Sequence, residues 1–168
     1  MAHPTTPVVP RDGQLVVSDN TGTPISYTIV YEDGDFSIDE VQEDYANTAS
    51  MKDRGIWYNE RKTDEQDLNF TFTCHVTHFS SATDGSPLDA VLKKGKFASG
   101  VSVLGTSADV WATKWVFTVE ATNYGEANDH VLTMTKVRTT AAFGEGVPAK
   151  WTIKGKILNP SSTVTWAT

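Results

Sequence analysis

The clearest pattern of hydrophobic and polar positions lies in residues 68–79. From position 68 to position 76 every second side chain is apolar, and the positions between them are polar and mostly uncharged. A period of two places successive side chains on opposite faces of a β-strand. The pattern predicts a strand with one face in the core. Its other side is polar and consists of Asn69, Thr71, Thr73, His75 and Thr77.

Several further segments predict strands separated by turns. Residues 14–18 and 25–32 are rich in β-branched and aromatic residues and flank the turn-forming sequence Asp-Asn-Thr-Gly at 19–22, which predicts a hairpin. Apolar and polar residues alternate again over residues 36–39. Three more strands are predicted over residues 110–122, 130–143 and 149–158, with turn-forming residues between them.

A single helix is predicted over residues 86–94. Ser86 is a favourable N-cap, Pro87 suits the first helical position, and Asp89 complements the helix dipole in the first turn. Lysines follow in the last turn, and Gly95 comes just beyond. The apolar residues that we expect to face a sheet, at spacing i, i+3 and i+4, are Leu88, Val91 and Leu92.

Antiparallel strands with one helix predict a mainly β fold, an antiparallel β-sandwich or barrel with one flanking α-helix. A chain of 168 residues suits one core, which we assign to residues 13–158. Residues 1–12 contain three prolines and are predicted to form an N-terminal arm, and residues 159–168 a C-terminal strand or arm. Residues 40–53 show no periodicity and are predicted to be a long polar loop.

The formal charge of −7 is distributed unevenly along the chain. Residues 1–67 contain 14 acids and 5 bases, whereas residues 68–168 contain 7 acids and 9 bases. An acidic surface repels phosphate, so sequence-specific nucleic-acid binding is disfavoured. The same surface is compatible with DNA that has to slide past without adhering.

The sequence carries few signals of catalysis, metal binding or membrane insertion. Cys74 is the one cysteine, which excludes an intrachain disulfide, and its apolar neighbours indicate a buried thiol. His75 and His78 are three apart on a strand and would point to opposite faces, so no metal site and no cofactor are predicted. We find no catalytic motif and expect no enzyme activity. No apolar run is long enough to span a bilayer, and residues 1–13 lack the basic and apolar regions of a signal peptide, so none is predicted.

Two tryptophans leave a different function open. Trp111 and Trp115 would lie on one face of a strand, about 13 Å apart, a spacing that could stack on an oligosaccharide. The alternative hypothesis is therefore a carbohydrate-binding β-sandwich. A small secreted hydrolase is a third hypothesis, because carboxylates are plentiful.

The order of elements resembles the tail tube, or major tail protein, family of tailed bacteriophages. A proline-rich arm, a hairpin, a long polar connection, a strand, a capped helix and three strands follow one another. The resemblance is carried by residues 9–40, by SPLDAVLKKG at 86–95 and by residues 115–157. Related folds occur in the inner tubes of contractile bacteriocins and secretion systems, so a tube subunit of such a particle is also possible.

The resemblance implies a structural subunit of a virion, made in the host cytoplasm and assembled into stacked hexameric rings. DNA would pass through the lumen without sequence-specific binding. The implied partners are other copies of the chain, a tape-measure protein, baseplate or tail-tip and terminator proteins, and a sheath protein if the tail is contractile.

The resemblance also suggests which residues lie at contacts. It places the arm and the loop of residues 40–53 between rings or subunits. The expected contact residues are Val8, Val9, Glu43, Asp44, Tyr45 and Met51. The expected lumen-facing acids are Asp35, Asp39 and Glu60.

Overall fold

The computed structural model describes residues 13–30, 35–39, 45–46, 49–51, 55–57, 61–62, 67–120, 127–158 and 164–167. These residues form twelve strands and one α-helix, α1, at Pro87–Leu92. The strands are β1 Gly13–Ser18, β2 Ser26–Val30, β3 Ser37–Asp39, β4 Tyr45–Ala46, β5 Ala49–Met51, β6 Gly55–Trp57, β7 Arg61–Lys62, β8 Asp67–His75, β9 Thr113–Val119, β10 His130–Gly144, β11 Lys150–Leu158 and β12 Val164–Ala167.

Eight of the strands form one antiparallel sheet. Its order is β2-β1-β9-β10-β11-β8-β3, and β12 pairs with the first half of β10. β10 is long enough to pair with β9 near its start and with β11 near its end, with an irregularity in register between Met134 and Val137. The prediction of a mainly antiparallel β fold with one short helix is confirmed.

The sheet bends so that β8 packs against β9, although two strands separate them in the sheet. The rings of Phe70 and Trp115 have centroids 5.6 Å apart, and those of Phe36 and Phe117 stack at 4.5 Å. Burying several aromatic side chains in one cluster supplies much of the hydrophobic stabilisation of such a core. The core therefore lies between two parts of the same sheet.

The two strongest local patterns are confirmed. In β8 the side chains of Leu68, Phe70, Phe72 and Cys74 are buried, as the alternation predicts. β1 and β2 form the predicted hairpin, with Val17 paired to Tyr27. Its turn is stabilised by the buried carboxylate of Asp19, which accepts hydrogen bonds from the backbone N–H of Ile25 at 2.7 Å and of Val101 at 2.9 Å.

The helix begins as predicted and ends two residues early. The Ser86 hydroxyl accepts a hydrogen bond from the Asp89 N–H, which is an N-cap. Lys93 ends the helix in the left-handed conformation, with φ of 54°. Leu88 and Val91 pack on the core, but Leu92 is 50% exposed, so its predicted place against the sheet is wrong.

The loop predicted at residues 40–53 contains strands. β4 pairs with β7, and β5 pairs with β6, so the described parts of residues 45–62 form two nested antiparallel pairs. These pairs belong to separate two-stranded sheets and not to the eight-stranded sheet. Short strands of two or three residues leave too weak a periodicity to be predicted.

Candidate assembly surface

The polar side of β8 continues across the neighbouring strands as one surface, which we call the polar face. Two rows of paired residues cross it. The first row is Arg138, Lys156, Asn69 and Asp39, and the second is Thr140, Lys154, Thr71 and Ser37. Thr152 and Thr73 are paired farther along, followed by Lys150 and His75. The opposite sides of these strands supply the buried core, so the polar face points away from it.

The polar face carries four bases, although the polar side of β8 alone is mostly uncharged. Lys150, Lys154 and Lys156 come from β11, and Arg138 lies beside Lys156 on β10. Lys154, Lys156 and Arg138 are exposed. The alternation of lysines along β11 is visible in the sequence, but the pairing that brings Arg138 to this row is not.

Asp35 and Asp39, two of the expected lumen-facing acids, lie beside or on the polar face. The Asp35 carboxylate accepts hydrogen bonds from the Thr73 backbone N–H at 3.0 Å and from the Thr73 hydroxyl. Asp39 is exposed and pairs with Asn69. The structure thus brings these two acids to the same strand, β8, and whether they face a lumen stays a prediction.

A groove of about 540 Å³ opens beside the charged row. Asp39, Arg138, Lys154 and Lys156 contribute to its wall. Uncharged groups complete the lining, including Asn69, Phe70, Thr71, Thr139, Thr140 and Gly155. The groove combines cationic, anionic and hydroxyl groups without a convergent pair of acids, an arrangement that suits contact with another polar surface.

The remaining expected contact residues are only partly described. Val8, Val9, Glu43 and Asp44 lie outside the described residues, as does Glu60, the third expected lumen-facing acid. Tyr45 lies in β4, paired with Lys62, and Met51 lies in β5, paired with Gly55. Their roles at subunit contacts stay predictions.

The tryptophan platform considered for carbohydrate binding is not formed. Trp115 is fully buried, and its indole N–H donates to the Thr113 hydroxyl at 2.8 Å. Trp111 precedes β9 and donates to the carbonyl of Ala90 at 2.7 Å. Because Trp115 belongs to the core, the two rings present no common surface to a sugar.

The described histidines and helices form neither a metal site nor a membrane span. The ring nitrogen Nε2 of His78 lies 2.6 Å from the Gly85 carbonyl oxygen, a local contact within its loop. Within the described ranges, no group of three or more His, Cys, Asp or Glu side chains is placed to hold a metal ion. In the same part of the chain, no helix has the length and apolar character needed to cross a membrane.

Burial changes the chemistry of the thiol beneath this surface. Cys74 is 3% exposed, and burial, with a smaller contribution from the negative charge of Asp35, raises its pKa to about 11. The thiol is therefore protonated at neutral pH. A protonated, buried thiol is a poor nucleophile, so Cys74 is a core residue.

Comparisons with known proteins give a fold and no family. No family model matches the sequence, and no curated protein matches it. Among solved structures, a chain of the sheath-tube complex of an extracellular contractile injection system (PVC) in its extended state aligns with a TM-score of 0.54 and 10% identity. That alignment covers 98% of this chain and 93% of the other. A chain of the sheath/tube terminator of the same kind of particle aligns with a TM-score of 0.53 and 10% identity, over 98% and 100% of the two chains. The protein is thus similar in fold, over nearly its whole length, to components of a contractile injection particle.

Proposed function

We propose that this protein is a structural subunit of a tube, in which copies of the chain form stacked hexameric rings around a channel. The observation that carries the proposal is the likeness in fold, over 98% of the chain, to components of an injection particle. The order of elements in the sequence independently resembles phage tail tube proteins. The tube belongs to a phage tail or to a related injection particle.

The distribution of polar groups supports this function. The polar face combines threonines with four bases and the two acids Asp35 and Asp39. Among the described residues it presents no group of three or more His, Cys, Asp or Glu side chains placed to hold a metal ion. We propose that the polar face lines the channel, where hydroxyl groups and side chains of both charges remain hydrated, and where salt weakens the contacts of its bases with the phosphates of passing DNA.

The ends of the sheet also favour assembly. Among the described strands, β2 pairs with β1 and β3 pairs with β8, so each leaves one side of its backbone available. An available strand edge is a template for pairing with another chain, and a closed ring satisfies such edges. We propose that neighbouring copies cover them. The same assembly would bind a tape-measure protein inside, terminator and baseplate or tail-tip proteins at its ends, and a sheath protein if the particle is contractile.

Electron microscopy of purified full-length protein tests the proposed function. Negatively stained samples over a range of concentrations are expected to contain rings of uniform diameter, and tubes at high concentration. Analytical ultracentrifugation of the same samples is expected to show a transition from small species to large ones. Uniform monomers at the highest concentration, by both methods, would contradict the proposal.

A further inference from the structure

Two exposed phenylalanines pack on a buried tryptophan, and we call these three side chains the aromatic cluster. Phe79 is 56% exposed and Phe143 is 47% exposed, and both pack on Trp151. The ring centroids lie 5.4 Å apart for Phe79 and Phe143, 5.8 Å for Phe79 and Trp151, and 5.3 Å for Phe143 and Trp151. Contiguous exposed apolar surface of this kind marks an interaction site more often than a solvated surface.

The sheet and the loop before α1 both position the aromatic cluster. Phe143 and Trp151 are directly paired across β10 and β11. Phe79 lies in the loop after β8, and its carbonyl oxygen accepts a hydrogen bond from the Ser86 hydroxyl at 2.9 Å, at the N-cap of α1. The turn between β10 and β11 adds the fully exposed Val147 nearby. A preformed apolar surface loses little conformational entropy when a partner binds.

One polar atom of the cluster lacks a partner. The indole N–H of Trp151 is buried and makes no hydrogen bond among the described residues. A buried donor without an acceptor costs about 1–3 kcal/mol. The atom is shielded from solvent, so this donor is not itself a contact for a segment bound on the surface.

The arm of residues 1–12 has the chemistry that such a surface binds. Pro4, Pro7 and Pro10 recur every third residue. A polyproline II helix has three residues per turn, so these prolines would form one stripe with a spacing of about 9 Å. Proline-rich segments in this conformation bind to surfaces lined by aromatic side chains and offer carbonyl oxygens as acceptors.

The topology separates Gly13, where the arm is attached, from the aromatic cluster of the same subunit. The arm joins β1 at Gly13, which pairs with Val119, which in turn pairs with His130 at the start of β10. Phe143 lies 13 residues farther along β10, about 43 Å of extended strand. Gly13 therefore lies at one end of the sheet, and the cluster lies at the other end. If two copies stack end to end, Gly13 of one copy, where the arm is attached, faces the cluster end of the next.

We propose that the aromatic cluster of one subunit binds the proline-rich arm of a second copy. This inference rests on the proposed function, because it describes how successive rings of the tube attach. It gives stacking a direction, since the donor and the acceptor surfaces differ and lie at opposite ends. A heterologous contact of this kind extends without closing and therefore propagates along a tube.

Disulfide trapping in the full-length chain tests the contact. The test variant combines Val9→Cys with Val147→Cys and is oxidised under assembly conditions. The matched control combines Val9→Cys with Val110→Cys, because Val110 is an exposed apolar residue in another loop. Native Cys74 is buried and protonated and should not compete. A ladder of covalent oligomers beyond the dimer is expected for the first pair at a yield at least fivefold above the control. A cross-linked monomer would show binding within one chain and overturn the proposal, as would a yield equal to that of the control.

Two sets of substitutions keep the inference separate from the proposed function. Phe143→Ser and the triple substitution of Pro4, Pro7 and Pro10 by Ala should each raise the concentration needed for assembly at least tenfold. Val110→Ser and Thr5→Ala with Thr6→Ala should leave it unchanged. The proline variant changes none of the described core residues, so it stays informative if Phe143→Ser unfolds. If the native protein polymerises and the Phe143 and proline variants polymerise equally well, this inference alone is overturned. If the native protein forms no ring or tube, the proposed function is overturned.

Discussion

The ring of Phe70 lies directly beneath Gly155, its partner across β8 and β11. A Cβ at residue 155 would come 2.2 Å from Phe70 Cζ, well inside van der Waals contact. Gly155 therefore makes room for an aromatic ring that stacks on Phe36 and Phe72. This pair fixes the packing of the core directly under the polar face.

We predict that Gly155→Ala destabilises the protein by about 1–3 kcal/mol, the usual cost of overpacking a filled core. The measurement is urea unfolding followed by tryptophan fluorescence. Gly144→Ala is the control, because its Cβ would find its nearest neighbour at 3.8 Å. Phe70→Leu in the Gly155→Ala background should recover part of the loss; equal stability of Gly155→Ala and the native protein would contradict the packing described.

Asp89 is expected to hold the helix and the preceding loop together. Its buried carboxylate accepts hydrogen bonds from the Ser80 hydroxyl at 2.6 Å and from the Ser81 N–H at 2.9 Å. Asp89→Ala should lower the free energy of unfolding by about 2–3 kcal/mol, because it leaves a backbone donor without a partner. Thermal unfolding of Asp89→Ala against Asp84→Ala checks this, since Asp84 is exposed. A loss no larger than that of Asp84→Ala would show that the network contributes little.

Cys74 is expected to be unreactive in the folded protein. Its pKa of about 11 lies above the ordinary thiol value, so the unfolded chain loses the thiol proton at lower pH than the folded chain does. The stability associated with Cys74 is fully present below about pH 9, the ordinary pKa of the thiol, and falls as pH rises toward 11. Thiol-reactive dyes should label the native protein only after urea unfolding, and Cys74→Ala should weaken the alkaline loss of stability. Rapid labelling at pH 7.5 without denaturant would contradict the burial of this residue.

Substitution on the polar face should leave the fold unchanged. Lys154 is exposed on β11, so Lys154→Glu is expected to change the free energy of unfolding by less than about 0.5 kcal/mol. If the polar face lines a channel, this variant also forms tubes of normal diameter. Normal stability with complete loss of tubes would instead place Lys154 at a contact between subunits.

The nested strand pairs of residues 45–62 are not hydrogen-bonded to the eight-stranded sheet as strands of it; they form two separate two-stranded sheets. Replacement of residues 40–53 by a short Gly-Ser linker is therefore expected to preserve the fold and to block tube growth. Circular dichroism measures the effect on the fold, and sedimentation measures the effect on tube growth. The control for linker insertion replaces residues 159–163 by a Gly-Ser linker of the same length as the linker used in the first variant. Normal polymerisation of the first variant would remove this segment from the proposed interface.

Local signals predicted the parts of this fold that depend on neighbours in sequence. The alternation of β8, the turn at Asp19 and the cap at Ser86 are each encoded within a few residues. The short strands β4 to β7 carry no such signal, and Leu92 has helical spacing although the helix ends beside it. Periodicity shows which residues share a side of an element and does not show where the element stops.

The candidate site depends on pairings that no local pattern encodes. Arg138 meets Lys156 only because β10 pairs with β11 in one particular register. Phe79 and Phe143 are 64 positions apart in sequence and meet through the order of strands in the sheet. A strand pattern does not distinguish a buried aromatic face from an exposed one. The sequence therefore leaves a sugar platform open at Trp115, which the structure buries.

The most direct test of the account is a cryo-electron microscopy reconstruction of the assembled particle, at a resolution that traces the strands of this chain. We predict six copies per ring, with Thr71, Lys154 and Arg138 on the wall of a continuous central channel. A reconstruction that places these residues on the outer surface, or that shows the chain outside the tube, would contradict it.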